Sequence, residues 1–175
     1  DTLSSWSVYV NGAEVAVTGI SRKSAILDNA DVGWEYDFRT LQNVFLELAE
    51  PLQDGDNIEI KFDDPAFTPV GVAYTPDTIV SEAVHVNLAG YDPDAGVKMA
   101  YLSSWNGFAF DPNNERGGEG VAQTYEAGMM FSVIDDETGE TVLSGVTELA
   151  QGIDDGTNNW LNYANTDVFS MDLSD

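Results

Sequence analysis

The stretch Val8-Tyr9-Val10-Asn11-Gly12-Ala13-Glu14-Val15-Ala16-Val17 decides the fold class. Val8 and Val10 occupy alternate positions, and Val15 and Val17 resume that spacing, the period of two that puts every second side chain on one face of a strand. Between them Asn11-Gly12 supplies two residues that tolerate positive φ, as a two-residue type I′ turn demands. The segment reads as an opening β-hairpin. Working outward, Ser24 to Leu27, Trp34 to Phe38, Val44 to Leu48 and Ile58 to Phe62 read as further strands, separated by Asp28-Asn29, Arg39 to Asn43 and Pro51 to Asp56.

Residues 63–80 change character. Pro65, Pro69 and Pro76 fall close together, and proline cannot donate to a central ladder, so an edge strand and a domain boundary are expected here. Beyond it, Ala83 to Leu88, Val97 to Leu102, Met129 to Ile134, Thr141 to Leu143 and Val168 to Met171 form a second set of short strands. Two polar stretches, Asn106 to Ala127 and Glu148 to Asn165, read as long loops of the kind that carries function. No apolar stripe at helical spacing exceeds two turns. The expected fold is all-β: two tandem Ig-like β-sandwiches, residues 1–78 and 79–175, with a single elongated sandwich as the alternative.

The chain has 175 residues, 43% hydrophobic and 11% aromatic, enough to build packed cores. Thirty-one Asp and Glu against six Lys and Arg give a formal charge of -25, a field that repels phosphate backbones and anionic headgroups. Nucleic acid and membrane surfaces are therefore not expected as partners. Without cysteine the chain has no disulfide framework, no thiolate nucleophile and no Cys-ligated metal site. No apolar run reaches the ~18 residues of a membrane span. Asp1 to Ser7 lack the features of a signal peptide, so the sequence reads as a mature or excised piece. The acidity also suits a salty habitat, where cations screen carboxylate repulsion.

The segment His85-Val86-Asn87-Leu88-Ala89-Gly90-Tyr91-Asp92-Pro93-Asp94-Ala95-Gly96-Val97-Lys98-Met99-Ala100-Tyr101-Leu102 resembles the opening of the immunoglobulin-like domain that precedes the catalytic barrel in family 9 glycoside hydrolases. An Asn, a Gly-Tyr and a Pro lead there into a Lys-x-Ala strand. Met130 to Asp135 with Thr138-Gly139-Glu140-Thr141-Val142 is similar to the family's middle hairpin, and Asp167 to Asp175 to its closing strand. The resemblance covers about residues 81–175. Leu88-Ala89 stands where the family more often has Gln-Val, and the last strand of the domain is not accounted for. The first half resembles the small bacterial Ig-like repeats of secreted multidomain proteins. These resemblances imply a non-catalytic accessory region of a secreted bacterial polysaccharide-degrading enzyme, with a catalytic barrel in cis as its partner.

Asp94-Ala95-Gly96 mimics part of the catalytic Asp-Ala-Gly-Asp of those enzymes, but Val97 stands where the second Asp would be. Carboxyl chemistry on a sugar needs a correctly spaced pair, so this segment is expected to be a turn. His85 is the only histidine, which excludes sites that need two imidazoles. It is expected to be structural. Serines lie in no Gly-x-Ser-x-Gly context and there is no phosphate-binding Gly loop. No catalytic residue is assigned.

Calcium takes oxygens from carboxylates, amides and carbonyls, and the candidate loops are Asp111, Asn113 and Glu115, and Asp154 and Asp155. Neither has EF-hand spacing. Sugar C–H faces stack on exposed aromatic rings, and the candidates are Trp105 and Phe108 beside one Gly-rich loop, with Trp160 and Tyr163 in another. Trp6 and Trp34 are expected in the core. Three functions thus stand: the structural accessory region, a carbohydrate-binding module acting on a plant or algal polysaccharide, and a calcium-stiffened spacer or adhesin repeat.

Overall fold

The computed structural model describes the backbone of residues 2–32, 35–114, 117–153 and 164–174 and, outside 29–37, their side chains. The protein is all-β: four small antiparallel sheets and no α-helix among the described residues. It divides into two compact units, Asp1–Val80 with Asn106–Val121, and Ser81–Trp105 with Ala122–Asp175.

The first unit opens on β1 (Trp6–Val10) and β2 (Ala13–Val15), paired Val10 to Ala13 across the turn. Asn11 and Gly12 have φ of 52° and 83°, both positive as the turn type requires. The Asn11 amide donates to the Asp56 carboxylate at 2.7 Å, and its carbonyl oxygen accepts the Asn57 N–H at 3.0 Å. The hairpin is thereby tied to β5 (Asn57–Phe62), which pairs with β1 and carries β6 (Val70–Ala73) at its other side. β6 is the proline-flanked edge strand expected from the sequence. Val8, at the centre of this sheet, is 1% exposed. Trp6 meets Phe62 edge-on at 5.0 Å, and Phe62 meets Phe67 at 5.4 Å.

The second sheet of this unit differs from the expected strands. Ser24 to Leu27, Trp34 to Phe38 and Val44 to Leu48 are not separate strands with turns at Asp28-Asn29 and at Arg39 to Asn43. Their described residues belong instead to one long hairpin, β3 (Val17–Val32) and β4 (Glu35–Leu48), in register from Val17 against Leu48 to Val32 against Glu35. Two irregularities on β3, at Val17/Gly19 and Ile26/Asp28, absorb its extra residues. Polar residues can run through a strand where water lies on both sides, so Asp28 and Arg39 pair across the ladder rather than ending it. β9 (Trp105–Ala109) adds to β3 through Ser21 and Arg22, and β10 (Gly120–Ala122) adds to β9, completing the order β10-β9-β3-β4. Part of the expected loop 106–127 is therefore strand.

In the second unit β7 (Val84–His85), β8 (Met99–Leu102), β14 (Val168–Asp172) and β13 (Glu148–Gln151) form one sheet in the order β13-β14-β8-β7. β13 lies inside the second stretch expected to be loop. Ala100, Phe169 and Met171 are its buried apolar side chains, and Ala83, just before β7, is buried as well. β11 (Met130–Ile134) and β12 (Thr141–Val146) pair as a separate hairpin. Gly145 lies opposite Phe131, and a Cβ there would sit 2.6 Å from the ring, so the glycine makes room for the aromatic side chain. Trp34, expected in the core, lies outside the described residues.

Candidate functional site

The aromatic candidates start from a glycine. Gly107 has φ of +87°, and a Cβ on it would come within 2.0 Å of the Arg22 carbonyl oxygen. Only glycine lets β9 approach β3 this closely. Just beyond it Phe108 and Phe110 stand 45% and 41% exposed, while Trp105 at the start of β9 is half-buried. The Phe110 N–H donates to the Ile20 carbonyl at 3.2 Å and fixes the strand end. Trp105 and Phe108 are thus brought onto one strand, whereas Trp160 and Tyr163 lie outside the described residues.

The loop after Phe110 is organised by local hydrogen bonds. Asp111 accepts the Asn113 N–H on its carboxylate at 2.8 Å and the Asn114 N–H on its carbonyl at 3.2 Å, an Asx turn. The Gly118 N–H returns to the Ala109 carbonyl at 2.8 Å. One carboxylate oxygen of Asp111 is therefore already engaged by the backbone, and Asn113 is exposed. Glu115, Asp154 and Asp155 lie outside the described residues. Among those described, no three His, Asp or Glu side chains converge as a metal group.

The residues that carry the family resemblance make a locked turn in the second unit. The Asn87 amide donates to the Gly90 carbonyl at 2.6 Å, its oxygen accepts the Ala89 N–H at 3.1 Å, and Gly90 has φ of 86°. Tyr91 then directs its hydroxyl to the Met99 carbonyl at 2.5 Å while accepting the Asn87 N–H at 3.2 Å. The phenol bridges the turn to β8. Asp92 caps the next turn, accepting the Asp94 N–H at 2.9 Å, and the Ala95 N–H closes on the Asp92 carbonyl at 3.0 Å. Asp94-Ala95-Gly96 is this turn, with Asp94 exposed. His85 Nε2 lies 3.1 Å from the Ser103 carbonyl, linking β7 to the chain just beyond β8.

The β11–β12 hairpin carries a feature absent from the sequence-based candidates. Phe131, Val133 and Leu143 turn to one side and are half-buried. Met130, Ile134, Val142 and Val146 are exposed, Met130 by 82%, around the facing hydroxyls of Ser132 and Ser144 at 3.3 Å. A signal for it exists in the sequence: the doublets Met130-Phe131, Val133-Ile134 and Val142-Leu143 put apolar residues on both parities, hence on both faces. At one end the Asp135 carboxylate accepts the Thr138 N–H at 2.8 Å, the Thr138 hydroxyl at 3.0 Å and the Glu137 N–H at 3.0 Å. The Thr138 donors, joined by the Glu137 N–H, hold its carboxyl below the usual carboxylate range.

Comparison with protein-family models, curated proteins and solved structures finds no match for this chain.

Proposed function

We propose that the chain is a non-catalytic accessory region of a secreted bacterial polysaccharide-degrading enzyme, built as two tandem Ig-like β-sandwiches, whose second half packs against a catalytic barrel. Each unit holds two antiparallel sheets, which is what a sandwich requires. The observation that carries the reading is the exposed apolar side of β11–β12. An apolar patch rimmed by polar groups marks a surface made to be covered. It lies in the unit whose Asn87–Tyr91 turn resembles the domain preceding family 9 barrels. The mechanism is linkage: a module that binds only the folded barrel raises the barrel's stability.

The test adds the full chain in trans to an isolated family 9 barrel and follows the barrel's melting temperature. A rise is expected, and Met130→Asp with Val146→Asp should abolish it. A melting temperature unmoved by the wild-type chain overturns the reading.

A second reading, carbohydrate binding, is favoured by the exposed rings of Phe108 and Phe110. It predicts retention on insoluble cellulose that falls with Phe108→Ala and Trp105→Ala.

A further inference from the structure

The outer strand of the long hairpin is self-complementary. β4 is terminal in the order β10-β9-β3-β4, so among the described residues its outer edge carries no neighbouring strand. Proteins blunt such edges with prolines, bulges or several charges. Here both irregularities lie on β3, leaving β4 regular; β4 contains no proline, and of its four charged residues, Glu35, Asp37, Arg39 and Glu47, only Arg39 and Glu47 fall between Phe38 and Leu48. Beyond Arg22, β3 pairs only with β4 among the described residues, and from Ser24 to Asp28 and from Phe38 to Gln42 the side chains are exposed. A two-stranded ribbon standing alone in water is marginal.

The sequence of that edge, Phe38-Arg39-Thr40-Leu41-Gln42-Asn43-Val44-Phe45-Leu46-Glu47-Leu48, reads symmetrically about Asn43. If two copies pair antiparallel with Asn43 opposite Asn43, Arg39 faces Glu47 twice and Leu41 faces Phe45. On the other face Phe38 meets Leu48, Thr40 meets Leu46 and Gln42 meets Val44. Arg39 against Glu47 sets opposite charges together, and Leu41 against Phe45 and Phe38 against Leu48 set apolar side chains together, the pairings that stabilise cross-strand neighbours. Thr40 and Gln42, already hydrogen-bonded to each other at 2.9 Å, lie against Leu46 and Val44. The stretch carries one cation and one anion in a chain of charge -25, so it is a place where two copies can approach without adding carboxylate repulsion.

We propose that β4 is a homodimerisation edge, occupied by β4 of a second copy about a two-fold axis at Asn43. The contact is isologous, the usual form for a symmetric dimer, and it continues the sheet from one copy into the next. Because each copy is strongly acidic elsewhere, the dimer strengthens as salt screens that repulsion. The proposal stands independently of the accessory-region reading, since it involves the first unit and not the β11–β12 face.

The test is sedimentation of the full chain at about 100 μM, a range that detects even modest affinity, in dilute buffer and in molar sodium chloride. The wild type should dimerise, more tightly in salt. Arg39→Glu and Glu47→Arg should each weaken the dimer about tenfold or more by setting like charges opposite, and the double swap should restore it. Asn43→Cys, the only thiol in a cysteine-free chain, should crosslink on oxidation, because directly opposed residues lie about 4.5–5.5 Å apart, within disulfide range. Thr40→Cys, off the axis, should not. A monomeric wild type in molar salt overturns the proposal. So does a dimer indifferent to both charge reversals, or one that Asn43→Cys leaves uncrosslinked.

Discussion

The first unit contains two hairpins of opposite design. The β1–β2 hairpin is short, and its turn is written into Asn11-Gly12 and pinned to Asp56 and Asn57. It buries Val8 on one face. The β3–β4 hairpin is long, with the inner part of β3 covered by β9 and an outer part whose side chains from Ser24 to Asp28 stand exposed. A hairpin with one buried face announces itself through alternation. A ribbon wet on both faces has no periodicity to obey, and its continuity comes from the ladder alone.

The largest expected effect strikes where the long hairpin is covered. Gly107→Ala would place a methyl against the Arg22 carbonyl at a positive φ, and both faults act together. A loss of about 3 kcal/mol or more is expected, read as a lowered urea midpoint. If the variant matches wild type, β9 does not clamp β3 and the distinction between covered and bare halves falls.

Next comes one truncation applied to both hairpins. Val8→Ala removes methyl groups from a position 1% exposed and should cost about 2–3 kcal/mol, the transfer loss plus the cavity left behind. Ile26→Ala removes more carbon from a side chain 65% exposed, and should cost under about 0.5 kcal/mol. Equal losses would mean that the outer ribbon is packed.

The same contrast explains what is legible in the sequence. The opening hairpin, the edge strand β6 and the cores of β8, β11 and β14 follow from spacing, turn residues and proline. β3 and β4 read as broken at Asp28 and at Arg39 to Asn43 because polar residues there look like turns. β9 escapes a local reading because Gly107 looks like a loop residue, although a close backbone approach is what glycine permits. Of the candidate site, Trp105, Phe108, Asp111 and Asn113 fall on one strand and the loop after it. Their use depends on exposure and hydrogen bonding between segments distant in sequence, which no local pattern records.

A smaller effect tests the turn that defines the short hairpin. Asn11→Ala loses the hydrogen bonds to Asp56 and Asn57 and places alanine at φ of 52°. About 1–2 kcal/mol should be lost, and Asn11→Gly should recover the part owed to backbone strain. If alanine and glycine cost the same, the side-chain hydrogen bonds alone hold the turn.

The smallest effect concerns the other turn-coded hairpin, β11–β12, and it appears only with pH. Thr138, through its N–H and hydroxyl, and then the Glu137 N–H hold the Asp135 carboxyl below its ordinary value. A carboxyl whose pKa is lower in the folded chain than in the unfolded one stabilises the fold above the unfolded value, and that contribution fades as pH falls through the folded one. Asp135→Asn keeps the shape and removes the titration. Near neutral pH the variant should therefore unfold at a lower urea concentration than wild type. As the pH is taken down through and below the usual carboxylate range, the two midpoints should converge, because the protonated Asp135 carboxyl and the asparagine amide of the variant then present similar neutral groups to the same donors. The other carboxylates titrate in both proteins and cancel in the difference. A gap that stays constant across the acid range would show that the ionised state of Asp135 adds nothing to the turn, leaving its hydrogen bonds as geometry shared by either side chain.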